Sequence, residues 1–411
     1  MSLLKQLYTI VKNPEYMPAY WRTLGREFSF FDFDYRFLSG YSFPPKSICF
    51  ILTKQCNLKC VMCDIGQRNA HLSSGETFPL AQSIEKGGTA MNLDDWKNLV
   101  NDIAEKRWKP LLLLTGTEPF IYLHVLELVE HIVANALRLH ITTNGTLLSS
   151  FADRLVDLCT KPDSISITIS LDGIGEVHDT IRGVSGTFDK AIAGLEAVAE
   201  RKRECGKHWP EITINYTISN FNDQHLREFV QWINERDFDL KGITFSHLWF
   251  KDEAIVVRHN QHYGEMCTVQ QENLTGLDIA AINMENVHSQ LQTIRETSGH
   301  FPFSILEQPR LTLDEAKKYY SRPTEMVFYS RCLAPWRNVS INPQGEVIIS
   351  PLCFDYTLGN VKKNSFSRIW NDTSFKKFRK MLKRVGIFPA CTRCCMLFDS
   401  KPKYYKIRDL F

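Results

Sequence analysis

Cys56-Asn57-Leu58-Lys59-Cys60-Val61-Met62-Cys63 decides how this chain is read. The spacing C-x3-C-x2-C puts three thiolates in one compact loop and supplies no fourth. Cubane iron–sulfur clusters are ordinarily held by four cysteines, so a three-thiol loop can leave one iron open to a small ligand. Taken alone, the loop also admits a zinc site or three core cysteines. What precedes it narrows the choice: Ile48-Cys49-Phe50-Ile51-Leu52 is an apolar run expected as a buried strand, with the cysteine loop at its C-terminal end.

Outward from that loop the pattern alternates. Asn92 can cap a helix whose Leu93, Trp96, Leu99, Val100 and Ile103 share one face. Leu111–Leu114 is expected as a second strand ending in Thr115-Gly116-Thr117-Glu118-Pro119. Leu137–Thr142 is a third, ending in Thr143-Asn144-Gly145, and Ser164–Leu171 a fourth, ending in Asp172-Gly173. Ile212–Ile218 and Gly242–Phe245 complete six, with helical patterns at Val125–Ala134, Phe188–Arg201 and Leu226–Glu235 between them. Strand-then-helix repeats of this kind predict an α/β fold with a parallel sheet, a partial (βα)6 TIM-like barrel. Each polar or glycine-bearing stretch just named ends a strand, and that rim is where such barrels bind ligands.

At 411 residues the chain exceeds one ordinary core, and about two to three domains are expected. A helical preface over 1–45, a barrel over 46–250, a substrate-side linker or insert over 251–327 and a small C-terminal α+β domain over 328–411 are the divisions read from pattern. Hydrophobic residues at 44% and charged residues at 23% are those of a soluble globular protein. A net charge of +3 argues against a bulk electrostatic grip on nucleic acid, while leaving a local basic patch open. No run of about twenty apolar residues is present and no signal peptide is read, so no membrane span and a cytoplasmic location are expected. The twelve cysteines then read better as thiolate ligands than as disulfides. Cys49, Cys159, Cys205 and Cys267 lack partners at ligand spacing and are expected as small buried hydrophobes.

The cysteine loop resembles the signature of radical SAM enzymes. In that family S-adenosylmethionine occupies the open iron of a [4Fe–4S] cluster, and Cys56, Cys60 and Cys63 would be the ligands. Met62 stands where the family commonly has an aromatic residue. Gly116-Thr117-Glu118-Pro119 is similar to the family's GGEP motif, with Thr117 in place of the second glycine. The resemblance implies that Gly116, Thr117 and Glu118 hold the amino end of the methionine. Ser170-Leu171-Asp172-Gly173, then His178-Asp179 and Arg182-Gly183, is similar to the fourth strand and following loop of the same enzymes. On that basis Ser170 and Arg182 would bind the carboxylate, with Asn144 and Asn215 lining the pocket.

A last group of motifs runs Cys332-Leu333-Ala334-Pro335-Trp336, Asn342-Pro343-Gln344-Gly345, Cys353, Gly359-Asn360-Val361, Ile369-Trp370-Asn371 and Cys391-Thr392-Arg393-Cys394-Cys395. This order resembles the SPASM/twitch domain. The resemblance implies an auxiliary [4Fe–4S] cluster on Cys332, Cys353, Cys391 and Cys394, with Cys395 spare; a four-thiolate zinc site is the alternative. The function implied is reductive cleavage of S-adenosylmethionine and hydrogen abstraction from an unactivated carbon, giving net oxidation of a small polyol or sugar-like metabolite. A peptide-modifying maturase and a non-catalytic zinc or iron–sulfur protein are the alternatives. The expected partners are a small-molecule or peptide substrate and a reductant such as flavodoxin or ferredoxin.

Overall fold

A computed structural model describes residues 33–66, 90–269, 277–327, 331–350 and 356–400. Most of the preface (1–32), part of the insert (270–276) and Cys353 lie outside the described residues. Seven strands succeed one another in one parallel sheet: β1 (Ser47–Phe50), β2 (Leu111–Leu114), β3 (Arg138–Thr143), β4 (Ile165–Ser170), β5 (Glu211–Ile218), β6 (Leu240–His247) and β7 (Ser304–Gln308). Sequence neighbours are sheet neighbours throughout, the order of a partial barrel.

The connecting helices are amphipathic and bury their apolar stripe on this sheet. Helix α1 (Phe33–Phe37) precedes the first strand, and α2 (Leu93–Glu105) follows it. In α2 the buried residues are Trp96, Leu99, Val100 and Ile103. Its start is fixed by a reciprocal cap: the Asn92 side chain accepts from the Asp95 N–H at 2.9 Å, and the Asp95 carboxylate accepts from the Asn92 N–H at 3.1 Å. α3 (Val125–Ala134), α4 (Ala152–Leu158), α5 (Glu176–Arg182), α6 (Thr187–Glu204) and α7 (Leu226–Asn234) continue the alternation. Leu112, Leu114, Leu139, Ile141, Ile167, Ile169 and Ile214 are fully buried between them, each contributing about 2 kcal/mol of apolar burial.

Two features depart from the sequence expectation. The stretch 251–327 builds structure of its own: α8 (Glu253–Tyr263), α9 (Met284–Thr297), β7 and α10 (Leu313–Ser321), with β7 adding a seventh parallel strand beside β6. It therefore extends the sheet rather than linking two units. The C-terminal region also joins the sheet. After α11 (Ala334–Arg337), β8 (Asn338–Ile341) pairs in parallel with β1, setting Ile48 beside Val339 and Phe50 beside Ile341. β9 (Glu346–Ile348) and β10 (Gly359–Asn360) then pair antiparallel, followed by α12 (Phe366–Ile369) and α13 (Thr373–Val385). β1 thus lies between barrel strand β2 on one side and β8 on the other, directly below the cysteine loop.

Candidate active site and a second cysteine cluster

An open cavity of about 280 Å³ sits at the C-terminal ends of the parallel strands. Cys56, Cys60 and Cys63 line it, with Gly116, Thr117, Glu118, Asn144, Ser170 and Thr217 from the ends of β2 to β5, Arg182 from the last turn of α5, and Leu248 and Trp249 after β6. Of the seven residues expected to contact the nucleoside, only Asn215 is not on this wall. Its amide donates to Thr217 Oγ1 at 3.2 Å and its carbonyl oxygen accepts from Ser246 Oγ at 2.6 Å. Asn215 therefore fixes Thr217, which does line the cavity and which the sequence reading passed over.

The cysteine loop is held against α5 by backbone pairing: the Lys59 N–H donates to the Arg182 carbonyl at 3.1 Å and the Val61 N–H to the Ile181 carbonyl at 2.9 Å. This contact explains Gly183. Its φ is +69°, and a Cβ there would lie 2.4 Å from the Lys59 carbonyl oxygen. Asn144 steadies the loop from the other side, donating to Asn57 Oδ1 at 2.8 Å and to Cys56 Sγ at 4.0 Å.

Glu118 is fully buried. Its carboxylate accepts from Thr143 Oγ1 at 2.9 and 3.0 Å, from the Asn144 N–H at 2.8 Å and from the Phe120 N–H at 3.1 Å. Three donors, with the Thr143 hydroxyl shared between the two oxygens, hold the carboxylate, so the side chain ties β2 to β3. Burial pushes its pKa up to about 7, against the pull of the three donors. Thr117, the departure from the second motif glycine, donates to the Thr53 carbonyl at 2.9 Å and anchors the loop to the end of β1.

Arg182 is the cation of the site. Nη2 pairs with Asp172 Oδ2 at 2.5 Å and Nη1 faces Cys60 Sγ at 3.8 Å. Burial works against its charge, but Asp172 and the Cys60 sulfur outweigh it and keep the guanidinium protonated. Asp172 is itself fixed by the Thr217 N–H at 2.7 Å, and its own N–H donates to His178 Nδ1 at 3.1 Å. Nε of Arg182 has no hydrogen-bond partner, although the residue is only 7% exposed. A buried N–H left over on a residue that lines an open cavity is suited to donate to a ligand carboxylate. Burial raises the thiols of Cys56 and Cys60 to about 12 and about 11, so the cluster-free protein holds them protonated until iron displaces the proton.

The second cysteine group is of another character. Cys332, Cys391 and Cys394 line a small chamber whose other walls are Pro335, Ile349, Phe378, Leu382, Phe388, Met396 and Leu397. Cys353 lies outside the described residues. Thiolates in an apolar shell suit an iron–sulfur cluster, whose potential is set by solvent exclusion. Among the described residues no three His, Cys, Asp or Glu side chains close around a single metal ion at either cysteine group.

Between Cys391 and Cys394 lies Arg393, a residue the sequence reading left unassigned. It is 1% exposed, and all its acceptors are carbonyls: Tyr319 at 2.6 Å, Arg322 at 2.7 Å, Glu325 and Thr392 at 2.8 Å and Lys318 at 3.3 Å. It thus caps the C-terminal end of α10, where carbonyls are otherwise orphaned. The next residues continue inward. Tyr319 Oη donates to the Leu248 carbonyl at 2.9 Å, and Tyr320 Oη accepts from the Leu248 N–H at 3.2 Å and meets His247 Nδ1 at 3.0 Å. One connected strut therefore runs from the second cysteine group to the Leu248–Trp249 rim of the first.

Comparison with known proteins agrees with this anatomy. The model of the radical SAM superfamily matches residues 50–233, and that of an iron–sulfur cluster-binding domain, SPASM, matches residues 332–395. The Fe-coproporphyrin III synthase of Methanosarcina barkeri is 25% identical over 84% of this chain and 79% of that protein. The antilisterial bacteriocin subtilosin biosynthesis protein AlbA of Bacillus subtilis is 26% identical over 80% of this chain and 60% of that protein. Streptococcus suis SuiB bound to its precursor peptide SuiA shares the fold, with a TM-score of 0.56 at 16% identity over 90% of this chain and 76% of that one. No described helix is long and apolar enough to cross a membrane.

Proposed function

This chain belongs to the radical SAM superfamily and carries a C-terminal SPASM domain, and on that premise we propose that it oxidises a substrate presenting an apolar face. Cys56, Cys60 and Cys63 would hold a [4Fe–4S] cluster that, when bound, would supply the electron for reductive cleavage of S-adenosylmethionine and with it the means to remove hydrogen from an unactivated carbon. The observation that carries the reading is the meeting of three thiols and Arg182, whose buried Nε–H has no partner, around one open cavity.

The chain's own residues divide the remaining work. Cys56, Cys60 and Cys63 hold the cluster. Arg182, braced by Asp172, binds the methionine carboxylate with Ser170. With the Glu118 carboxylate occupied, the hold on the methionine amino group falls to the backbone of Thr115, Gly116 and Thr117 along the same wall. Asn144 orients the cysteine loop, and Met62, Ile65, Leu248 and Trp249 exclude water. Cys332, Cys391 and Cys394 would hold the auxiliary cluster, which would supply an acceptor for the electron left on the substrate.

Those four apolar wall residues also bear on the substrate class. A polyol needs several fixed hydrogen-bond partners, whereas Met62, Ile65, Leu248 and Trp249 offer apolar surface. They favour a tetrapyrrole or a peptide side chain over a sugar alcohol. The protein named a synthase of Fe-coproporphyrin III and the one named for subtilosin biosynthesis point the same way by name. The test is anaerobic turnover with 5′-deoxyadenosine and product mass as readouts. Substrate-dependent release with coproporphyrin or precursor peptide supports the reading. Turnover of polyols alone overturns the substrate class, and no reductant-dependent release under any condition overturns the chemistry.

A further inference from the structure

The net charge of +3 conceals an asymmetry. Between Tyr356 and Val385 the chain carries nine Lys and Arg against a single acid, Asp372, so this stretch alone stands at +8. Asp372 is committed as the cap of α13, accepting from the Phe375 N–H at 2.8 Å. The structure sorts the basic residues by face. Phe375, Phe378, Arg379 and Leu382 of α13 are buried, and Phe378 and Leu382 form part of the wall of the Cys332/Cys391/Cys394 chamber. Lys377, Lys380 and Arg384, at i, i+3 and i+7, share the opposite, exposed face. No described acidic side chain forms an ion pair with any of these three; among the described basic residues of the stretch, Lys362 pairs with Asp95 at 3.8 Å.

We propose that the exposed face of α13 docks an acidic one-electron carrier protein, of the flavodoxin or ferredoxin kind, that exchanges one electron with the auxiliary cluster. The inference rests on reading the C-terminal thiols as that cluster's ligands. Two observations choose the occupant. A single helix, about 10 Å across with its side chains, is all that separates the lysines from the chamber, so a carrier seated there has the shortest protein path to it. The same face has neither the apolar flank an interfacial membrane helix needs nor the exposed aromatics on which single-stranded nucleic acid stacks. Charge complementarity of this type acts mainly on the rate of encounter and weakens with salt.

The experiment compares the reconstituted wild type with the triple variant Lys377→Glu/Lys380→Glu/Arg384→Glu. Reduction by an acidic flavodoxin hydroquinone is followed by stopped flow, and binding by titration with oxidised flavodoxin. The wild-type second-order rate is expected to fall with added salt, and the variant at low salt to be slower by about tenfold or more. Reduction by dithionite and the iron content are expected to be equal in both proteins. Equal flavodoxin rates and affinities overturn the proposal, as does retention of binding to anionic vesicles or a duplex oligonucleotide in place of flavodoxin. A wild type that holds only one cluster, shown by iron analysis and EPR, overturns instead the reading on which the proposal rests.

Discussion

The two cysteine groups use the same ligand atom in opposite surroundings. At the first, three thiols face an open cavity with a buried cation, Arg182, whose donors are divided among Asp172, Cys60 and nothing. At the second, the thiols face an apolar chamber, and the neighbouring cation, Arg393, has every N–H arm turned to backbone carbonyls. The unspent donor marks the site that takes a ligand. The fully spent one marks a site built to be closed, where the cation serves to hold α10 and, through Tyr319 and Tyr320, the rim of the first site.

The sharpest way to break this contrast is to remove one thiol at each site. Cys60→Ala is expected to abolish 5′-deoxyadenosine release, whereas Cys391→Ala retains reductant-dependent release and loses net oxidation of the substrate. Iron analysis of either variant is expected to fall from about eight to about four per chain. Loss of release in both variants erases the distinction.

Next in size is Arg182→Ala, which strands the Asp172 carboxylate in a fully buried position. Breaking a buried pair in this way costs about 3–5 kcal/mol. The variant is expected to show a lower thermal midpoint together with loss of S-adenosylmethionine binding in calorimetry. Asp172→Asn/Arg182→Met is expected to recover midpoint without recovering binding, separating the structural from the ligand role.

Arg393→Ala deprives several buried carbonyls of donors at about 1–3 kcal/mol each, with partial relief from water. Its expected signature is selective: auxiliary iron is lost first, and hydrogen exchange quickens at 247–249 as well as at 318–325. Exchange confined to the C-terminal region would break the strut.

The smallest expected effect is on pH. Glu118 has a folded-state pKa raised by burial from 4.5 to about 7. The folded protein then binds more protons than the unfolded chain between those values, so this group's stabilisation is full below 4.5 and is lost as pH rises to about 7. The loss is no more than about 3 kcal/mol. Melting of the anaerobic holoenzyme from pH 5.5 to 8 is expected to show a stability difference from Glu118→Gln that shrinks as pH rises to 7 and is constant above. A difference that grows with pH contradicts the assignment.

Local chemistry made much of this legible from the chain alone. Leu111–Leu114 and Val125–Ala134 form strand and helix with the bounds their apolar pattern predicts, because each signal is contained within its own segment. The three thiols of the first loop meet on one wall for the same reason. β7 was missed because Ser-Ile-Leu-Glu-Gln is an edge strand whose alternate residues face solvent, leaving too little apolar content to read. The pairing of Ile48 with Val339 joins residues almost 300 positions apart, and nothing local encodes it. Arg393 escaped notice because its partners are main-chain carbonyls, which carry no side-chain signature. Asn215 and Thr217 sit two apart on β5 and share one face, and only the structure tells which of them stands far enough along the strand to line the cavity.

Radical chemistry here requires that a cluster held by Cys56, Cys60 and Cys63 offer one iron to S-adenosylmethionine. Pulsed ENDOR on the reduced Cys391→Ala/Cys394→Ala protein, with S-adenosylmethionine carrying a ¹⁷O-labelled carboxylate, isolates that cluster. A strong ¹⁷O coupling is expected, and it is expected to disappear in the Arg182→Ala background. A spectrum that shows no coupling, with S-adenosylmethionine bound and the cluster intact, contradicts it.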